Sequence, residues 1–563
     1  MHSYGKLDEA EQAKLVARRR TRKRIIIIAV SSVALACIVI GAVFGTTAVT
    51  HAGKKSPENG GGDSISASVK AVCDVTLYKD TCYRTVGSSP NATRLTPEEL
   101  FKIAVEFTLE SLSKSVAKFS GGGKEMAAMG ACKELIELAV EHLNETVTSL
   151  DGKMTTSLSE LGDDLRTWLS SVVTYQETCV EALQETTVDL KTYGETNLKN
   201  STEMTSNALA IITWLTKISD TIKLRRRMLS WEETGSETAS FARRMLQEKD
   251  LRTMANIVVA KDGTGNYTTI GRALEDVPEK SSNKTIIYVK EGVYVENVKV
   301  ENSKWNVVMV GDGQDKTIVS FGLNFVDGTP TFQTATFAVF GKGFMARDMT
   351  FRNTAGAAKH QAVALMVSAD LSAFYHCTMD AFQDTLYALS QRQFYRECTI
   401  LGTVDFIFGN SAVVFQNCTI LPRRPMPGQQ NTITAQGRTD PNQNTGISIH
   451  KCSISPLDNL GGVQTFLGRP WKNFSTTVVM KSFMDGFIDP RGWLPWVGNT
   501  APDTIFYAEY GNLGAGAWTK NRVTWKGVRT FLTKKAANKF TVKPFINGDK
   551  WLPATGFPFK PDL

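Results

Sequence analysis

Four short segments in the C-terminal half share one pattern: HCTM from His376, ECTI from Glu397, NCTI from Asn417 and KCSI from Lys451. Their cysteines, 377, 398, 418 and 452, stand 21, 20 and 34 residues apart. DMTF from Asp348 fits the same register, with methionine in the cysteine position. A repeat near twenty residues with one strand-like core per unit specifies a solenoid, because no single unit can bury its apolar face alone. The surrounding text is short β runs (NIVVA, TIIYV, WNVVMVG, AVVFQNCTI) broken by Gly and Asn. The predicted fold of residues 255–563 is therefore mainly β, a right-handed parallel β-helix. A β-sandwich would also supply short strands, but not a regular Cys-Thr-apolar recurrence. The 34-residue interval predicts an extra coil or a long loop.

The repeat makes a chemical claim as well. Asp384 lies seven residues after Cys377, and Asp405 lies seven after Cys398. Equal phase in successive coils stacks the two aspartates on neighbouring strands, about 4.8 Å apart. Two carboxylates that close cannot both ionise freely, which leaves one as an acid beside an ionised base or nucleophile. Gln383 adjoins Asp384, and Gln361 precedes Gln383 by 22 residues, about one coil. Their amides could donate to a developing oxyanion. Arg469, in LGRPW, could hold the ionised aspartate through a two-pronged contact. Cys377 and Cys398 fit either a bridge or a ladder of free thiols.

The N-terminal half reads differently. Residues 1–24 are a basic tail ending in RRRTRKR, and residues 25–49 carry no charge. Twenty-five such residues are long enough to span a bilayer, so the stretch is a transmembrane signal anchor or a signal peptide, with the basic side cytosolic. Residues 50–66 form a Gly/Ser/Lys linker, and residues 67–222 show helical periodicity, as in ELFKIAVEFTLESL, with a start signal at Thr96-Pro97. This helical bundle contains no catalytic constellation. Cys73, Cys82, Cys132 and Cys179 can form two bridges in an oxidising compartment. Residues 223–254 are polar and contain RRML twice, so Arg226, Arg227, Arg243 and Arg244 offer paired basic sites to a processing protease of the secretory pathway. Seven N-x-[ST] triplets, among them Asn91, Asn266 and Asn417, are glycosylation candidates.

Composition narrows the partner. From Ala255 onward the chain has 32 basic and 24 acidic residues, whereas the first 254 residues balance at 32 each. A net-basic globular half suits a polyanion. No zinc finger, P-loop or aromatic ribonucleoprotein box points to nucleic acid. G-x-S-x-G, H-E-x-x-H, C-x-x-C and a complete G-x-G-x-x-G are all missing from the sequence, and nothing in it calls for a metal or cofactor.

The segments GVYVE (292–296), QAVAL (361–365), QDTL (383–386), DFIFG (405–409) and LGRPW (467–471) resemble, in order, those of plant pectin methylesterases. The helical region, with a close cysteine pair followed by a wide one, resembles the pectin methylesterase inhibitor family. The first resemblance implies a secreted cell-wall enzyme that hydrolyses the methyl esters of pectin. It implies Asp405 as nucleophile, Asp384 as proton donor and then base, Gln361 and Gln383 as oxyanion stabilisers, and Arg469 as the residue that orients Asp405. Thr331, Trp471, Tyr387, Phe408 and Trp496 would touch the sugar chain. The second resemblance implies bridges Cys73–Cys82 and Cys132–Cys179 in a pro-region that inhibits in cis, aids folding or delays export, with separate inhibitor proteins as further partners. Membrane contact would be confined to residues 25–49. A chain-cleaving glycosidase on the same fold is the rival enzyme, since it too uses paired carboxylates. A non-catalytic wall-binding module is the rival class, which the complete Asp, Asp, Gln, Gln, Arg set opposes.

Overall fold

A computed structural model of the chain describes residues 66–119, 125–151, 158–227 and 251–563. The basic tail, the expected span at 25–49 and nearly all of the first linker lie outside the described residues, as do Arg243 and Arg244. Among the described residues no helix is long and apolar enough to cross a membrane.

The first part is helical. Two short helices, α1 (Ala67–Asp74) and α2 (Lys79–Thr85), are joined by the disulfide Cys73–Cys82. Four long ones follow: α3 (Pro97–Val116), α4 (Met126–Asp151), α5 (Leu158–Gln184) and α6 (Val188–Arg227). Each packs on two others in cyclic order, α3 on α4, α4 on α5, α5 on α6 and α6 on α3, which makes a four-helix bundle. α3 begins where the sequence signal places it. Thr96 Oγ1 accepts the Glu99 N–H at 3.3 Å, and the Glu99 carboxylate accepts the Thr96 N–H at 2.8 Å. Cys132–Cys179 ties α4 to α5. α6 continues past Ile222 through Arg226 and Arg227, because the run KLRRR consists of good helix formers. The first RRML thus starts in a helical end rather than in a linker.

From Ile257 the chain winds into a right-handed parallel β-helix with sheets of eleven, seven and eight strands. The seven-stranded sheet carries the site: β1 (Val298–Val300), β2 (Phe337–Val339), β3 (Leu365–Val367), β4 (Leu386–Ala388), β5 (Ile407–Gly409), β6 (Asn431–Gln436) and β7 (Thr465–Pro470), paired in that order. The repeat is laid out in register. Thr350, Thr378, Thr399, Thr419 and Ser453 pair in succession, which stacks Met349, Cys377, Cys398, Cys418 and Cys452 one residue earlier. The 34-residue interval contains no extra coil. Its surplus lies in two loops, 423–430 and 437–445, on either side of β6.

The expected alternative of a Cys377–Cys398 bridge is not realised: all four cysteines of the ladder are free and buried. In-register parallel strands point neighbouring side chains in the same direction, and here the Cys377 and Cys398 thiols turn to backbone carbonyls of Tyr375 and Arg396, at 3.5 and 3.4 Å. The same stacking builds the core, where Phe374, Tyr395 and Phe415 lie face to face with centroids 4.9 and 4.8 Å apart.

Candidate functional site

Asp384 and Asp405 occupy equivalent corners of adjacent coils. Leu386 pairs with Ile407 and Tyr387 with Phe408, and the Asp384 N–H donates to the Val404 carbonyl at 3.0 Å, so the two aspartates face one another two residues earlier. Both sit in the left-handed region, at φ 62° and 52°. Such corners exclude β-branched residues and tolerate aspartate. Gln361 and Gln383 pair directly across the preceding coils.

The two carboxylates have unequal surroundings. Arg469, on β7, reaches across Ala435 of β6, which lies in register between Phe408 and Arg469. Its Nε donates to Asp405 Oδ1 and Oδ2 at 2.9 and 3.1 Å, and Nη2 donates to Oδ2 at 2.6 Å. Thr432 also donates to Oδ1, at 2.6 Å. Asp384 has no such fork. Burial, reinforced by the Asp405 charge, pushes its carboxyl well above the usual carboxylate range, with Arg469 opposing and Glu185 adding to the rise. A carboxylate gripped by an arginine, next to a carboxyl pushed towards its protonated form, is an arrangement that can offer a nucleophile and an acid.

A cavity of about 450 Å³ opens over this pair. Thr331, Gln361, Gln383, Asp384, Tyr387, Asp405, Phe408, Arg469, Trp471 and Trp496 all line it. The structure therefore brings together every candidate that the sequence singled out for chemistry or sugar contact. The aromatics form a strip. Tyr387 stacks on Phe408 at 4.1 Å, Trp471 adjoins Phe408 at 6.1 Å, and Trp496 lies 6.2 Å from Trp471 while covering the Arg469 guanidinium at 4.2 Å.

Sequence reasoning missed what closes the cavity. Its other wall is α5, through Thr178, Glu181, Ala182 and Gln184, with Glu185 of the turn that follows. Lys472 Nζ pairs with Glu177 and Glu181, both at 2.6 Å, and Glu185 accepts the Thr331 N–H at 2.9 Å. Burial of Glu181, with Glu177 and Glu185 nearby and Lys472 opposing, lifts its pKa to about 7. Burial lowers the Lys472 ammonium, but Glu181 and Glu177 outweigh it and leave its pKa raised. Further along the same face, Arg392 bridges Asp370 and Asp164 of α5 at 2.6 and 2.7 Å, and Ser206 donates to Asp440 at 2.6 Å. At the centre Ser368 donates to the Tyr175 hydroxyl at 2.9 Å, and Gln391 meets His142 at 3.0 Å. One apolar cluster runs from Leu169 and Val173 of the bundle into Val363, Met366, Tyr387 and Phe408. The only sequence trace of this cover is the i, i+4, i+8 spacing of Glu177, Glu181 and Glu185. Thr432 left no trace, because its place beneath Asp405 depends on the length of the loop before β6.

The pectinesterase family model matches residues 256–549, and that of the plant invertase/pectin methylesterase inhibitor family matches residues 67–211. The chain is 69% identical over 575 residues to "Probable pectinesterase/pectinesterase inhibitor 46" of Arabidopsis thaliana, covering 100% of both. It is 45% identical to "Pectinesterase 3" of Phaseolus vulgaris, over 100% of this chain and 98% of the relative. Among solved structures, pectin methylesterase from carrot matches with a TM-score of 0.54 at 54% identity, covering 55% of this chain and 98% of its own.

Proposed function

Since the chain belongs to the pectinesterase family and is a carboxylic ester hydrolase acting on the methyl esters of pectin, we propose that Asp405 and Asp384 divide its chemistry and that the helical domain holds the precursor inactive. The Asp405 carboxylate, aimed by Arg469 and Thr432, attacks the ester carbonyl of a galacturonate unit. The amides of Gln361 and Gln383 donate to the tetrahedral oxyanion. Collapse of that intermediate breaks the bond to the methoxy oxygen, and Asp384 gives it the proton, so methanol leaves and an acyl-enzyme remains. Asp384, now ionised, takes a proton from water as the water attacks the acyl carbonyl, which restores both groups and frees the galacturonate carboxylate. Thr331, Trp471, Tyr387, Phe408 and Trp496 line the groove for the sugar chain. No metal or cofactor takes part in this scheme.

The observation that carries this reading is the register of Asp384 with Asp405, together with the two-pronged grip of Arg469 on Asp405 alone. Cis-inhibition is supported by α5 and the turn after it, which wall the cleft with Glu181 and Glu185. The chain would enter the secretory pathway through residues 25–49, be glycosylated there, lose its helical domain by cutting at an RRML, and act in the cell wall. The test is methanol release from methyl-esterified pectin by the full chain before and after cutting within residues 228–250. Release after the cut, with no new reducing ends, is expected. Reducing ends without methanol would favour chain cleavage, and equal activity before and after would remove the inhibitory role.

A further inference from the structure

A second cavity, of about 600 Å³, opens between α5, the loop 437–445 and the C-terminal end of the chain. Among the described residues it shares no lining residue with the cavity over Asp384 and Asp405. Its apolar wall is built on half-buried phenylalanines. Phe506 and Phe540 lie nearly parallel with centroids 5.4 Å apart, Phe545 of the short helix Val542–Ile546 meets Phe540 at 5.5 Å, and Phe474 also lines the space. Its polar wall is basic. Arg166, Arg392, Arg438 and Lys539 line it against a single described acid, Asp163. Asp370 and Asp164 neutralise Arg392, and Asp163 accepts the Asn547 amide at 3.1 Å. Arg438 and Lys539 form no ion pair among the described residues. The Arg438 Nε donates to the Asp440 carbonyl at 3.0 Å, and Nη2 donates to the Pro441 carbonyl. Burial lowers its pKa to about 10, with Asp440 opposing and Arg166 adding to the fall. Carbonyl dipoles satisfy its N–H groups without supplying the negative charge that offsets a desolvated cation.

A cavity of this size with aromatic walls and two uncompensated cations selects a ligand that carries both a ring and a negative charge. A small inorganic anion would leave the phenylalanines facing water, and a neutral ring would leave Arg438 and Lys539 without counter-charge. We propose that the cavity binds a small planar aromatic carboxylate, its ring against Phe540 and Phe545 and its charge on Arg438 and Lys539, and that the bound ligand clamps the helical domain to the β-helix. Arg166 and Thr167 bring α5 to the wall, so a ligand in place touches both parts of the chain. A ligand that prefers the joined form must, by linkage, oppose release of the helical domain once the linker is cut. The site takes no part in ester hydrolysis and stands independently of the esterase reading.

Calorimetric titration of the full, uncut chain with 4-hydroxycinnamate tests the site. One saturable site per chain is expected. The ring without the charge, as 4-hydroxycinnamyl alcohol, and the charge without the ring, as acetate, should each bind at least about tenfold more weakly. Affinity should fall as salt rises. Arg438→Gln should weaken binding about tenfold, and Lys539→Gln, at an exposed position, roughly threefold. In chain cut within residues 228–250, saturating 4-hydroxycinnamate should raise the fraction that stays joined on dilution, read by gel filtration. No saturable binding up to about 1 mM overturns the proposal. So does an alcohol that binds as well as the acid, or binding that both variants leave unchanged. Binding that leaves the joined fraction unaltered overturns the clamp. Should Arg438→Gln not fold, Lys539→Gln and the salt series decide, and a salt-independent affinity overturns the site.

Discussion

Thr432 donates its hydroxyl to Oδ1 of Asp405 at 2.6 Å, and the same hydroxyl oxygen accepts the backbone N–H of Asp405 at 2.8 Å. Thr432 is almost wholly buried, so this two-way grip is screened from water. It fixes both the carboxylate and the corner that presents it. Thr432→Val keeps the shape and removes the hydroxyl. A hydrogen bond to a charged group is worth about 1.5–3 kcal/mol, so kcat for methanol release should fall roughly ten- to a hundredfold, with KM little changed. Thr432→Ser should recover most of the loss. An unaltered kcat in folded Thr432→Val would show that Arg469 alone suffices.

The two aspartates should fail in different ways. Asp405→Asn retains size and loses the nucleophile, so pectin binding should persist while no acyl-enzyme forms. Asp384→Asn removes the leaving-group acid and the later base, and both half-reactions should slow. Rapid-quench measurement of methanol against pectin binding separates these outcomes. Near-normal release by folded Asp405→Asn would mean that another group attacks.

Docking of the helical domain should respond to pH through two groups of opposite sign. Glu181, facing Lys472, Glu177 and Glu185, has its pKa raised from 4.5 to about 7 by burial. Its contribution to docking is full below 4.5 and is lost as pH rises through about 7, and Glu185, also raised by burial, acts in the same direction. His142, facing Asp370, Lys342 and Glu145, has its pKa lowered from 6.5 to about 4 by burial. Its contribution is full above 6.5 and is lost as pH falls through about 4. Each slope is at most about tenfold in affinity per pH unit. After cutting, Glu181→Gln should leave inhibition that weakens mainly towards acid, and His142→Gln inhibition that weakens mainly towards alkali. Inhibition constants measured between pH 4 and pH 7 would test this.

The aromatic stack of the β-helix should dominate its stability. Phe374 is fully buried and lies 4.9 Å from the Tyr395 ring, nearly parallel to it. Phe374→Ala should cost about 3–5 kcal/mol, because rigid neighbouring coils cannot close the gap. Denaturant unfolding checks this, and a loss below about 1 kcal/mol would mean that the coils repack.

The sequence made the β-helix legible because its coils repeat their corners and strands in register. His376, Glu397, Asn417 and Lys451 all turn in the left-handed region just before the ladder of cysteines. That same regularity carried Asp384 and Asp405 to one place, and the family resemblance added Trp471 and Thr331. What could not be read were contacts set by surfaces rather than by phase. Lys472 follows a recognised tryptophan, yet its partners Glu177 and Glu181 lie almost 300 residues away, 295 in the case of Glu177. Nothing local in the bundle says which helical face meets the groove. The first RRML reads as linker because it stands in a polar, basic stretch, although the same residues propagate a helix.

Arg469 reaches Asp405 by crossing a whole strand, passing over Ala435. Repeat proteins in general accept gain or loss of a unit, since each coil answers only to its neighbours. Here that freedom is suspended. A coil inserted between β5 and β7 would add about 4.8 Å to a distance that an arginine side chain spans once, and a larger residue in place of Ala435 would block the path without moving either end. Between β5 and β7 the number of coils is therefore fixed by the reach of one side chain, and variation in length there has to enter through loops such as 423–430 and 437–445.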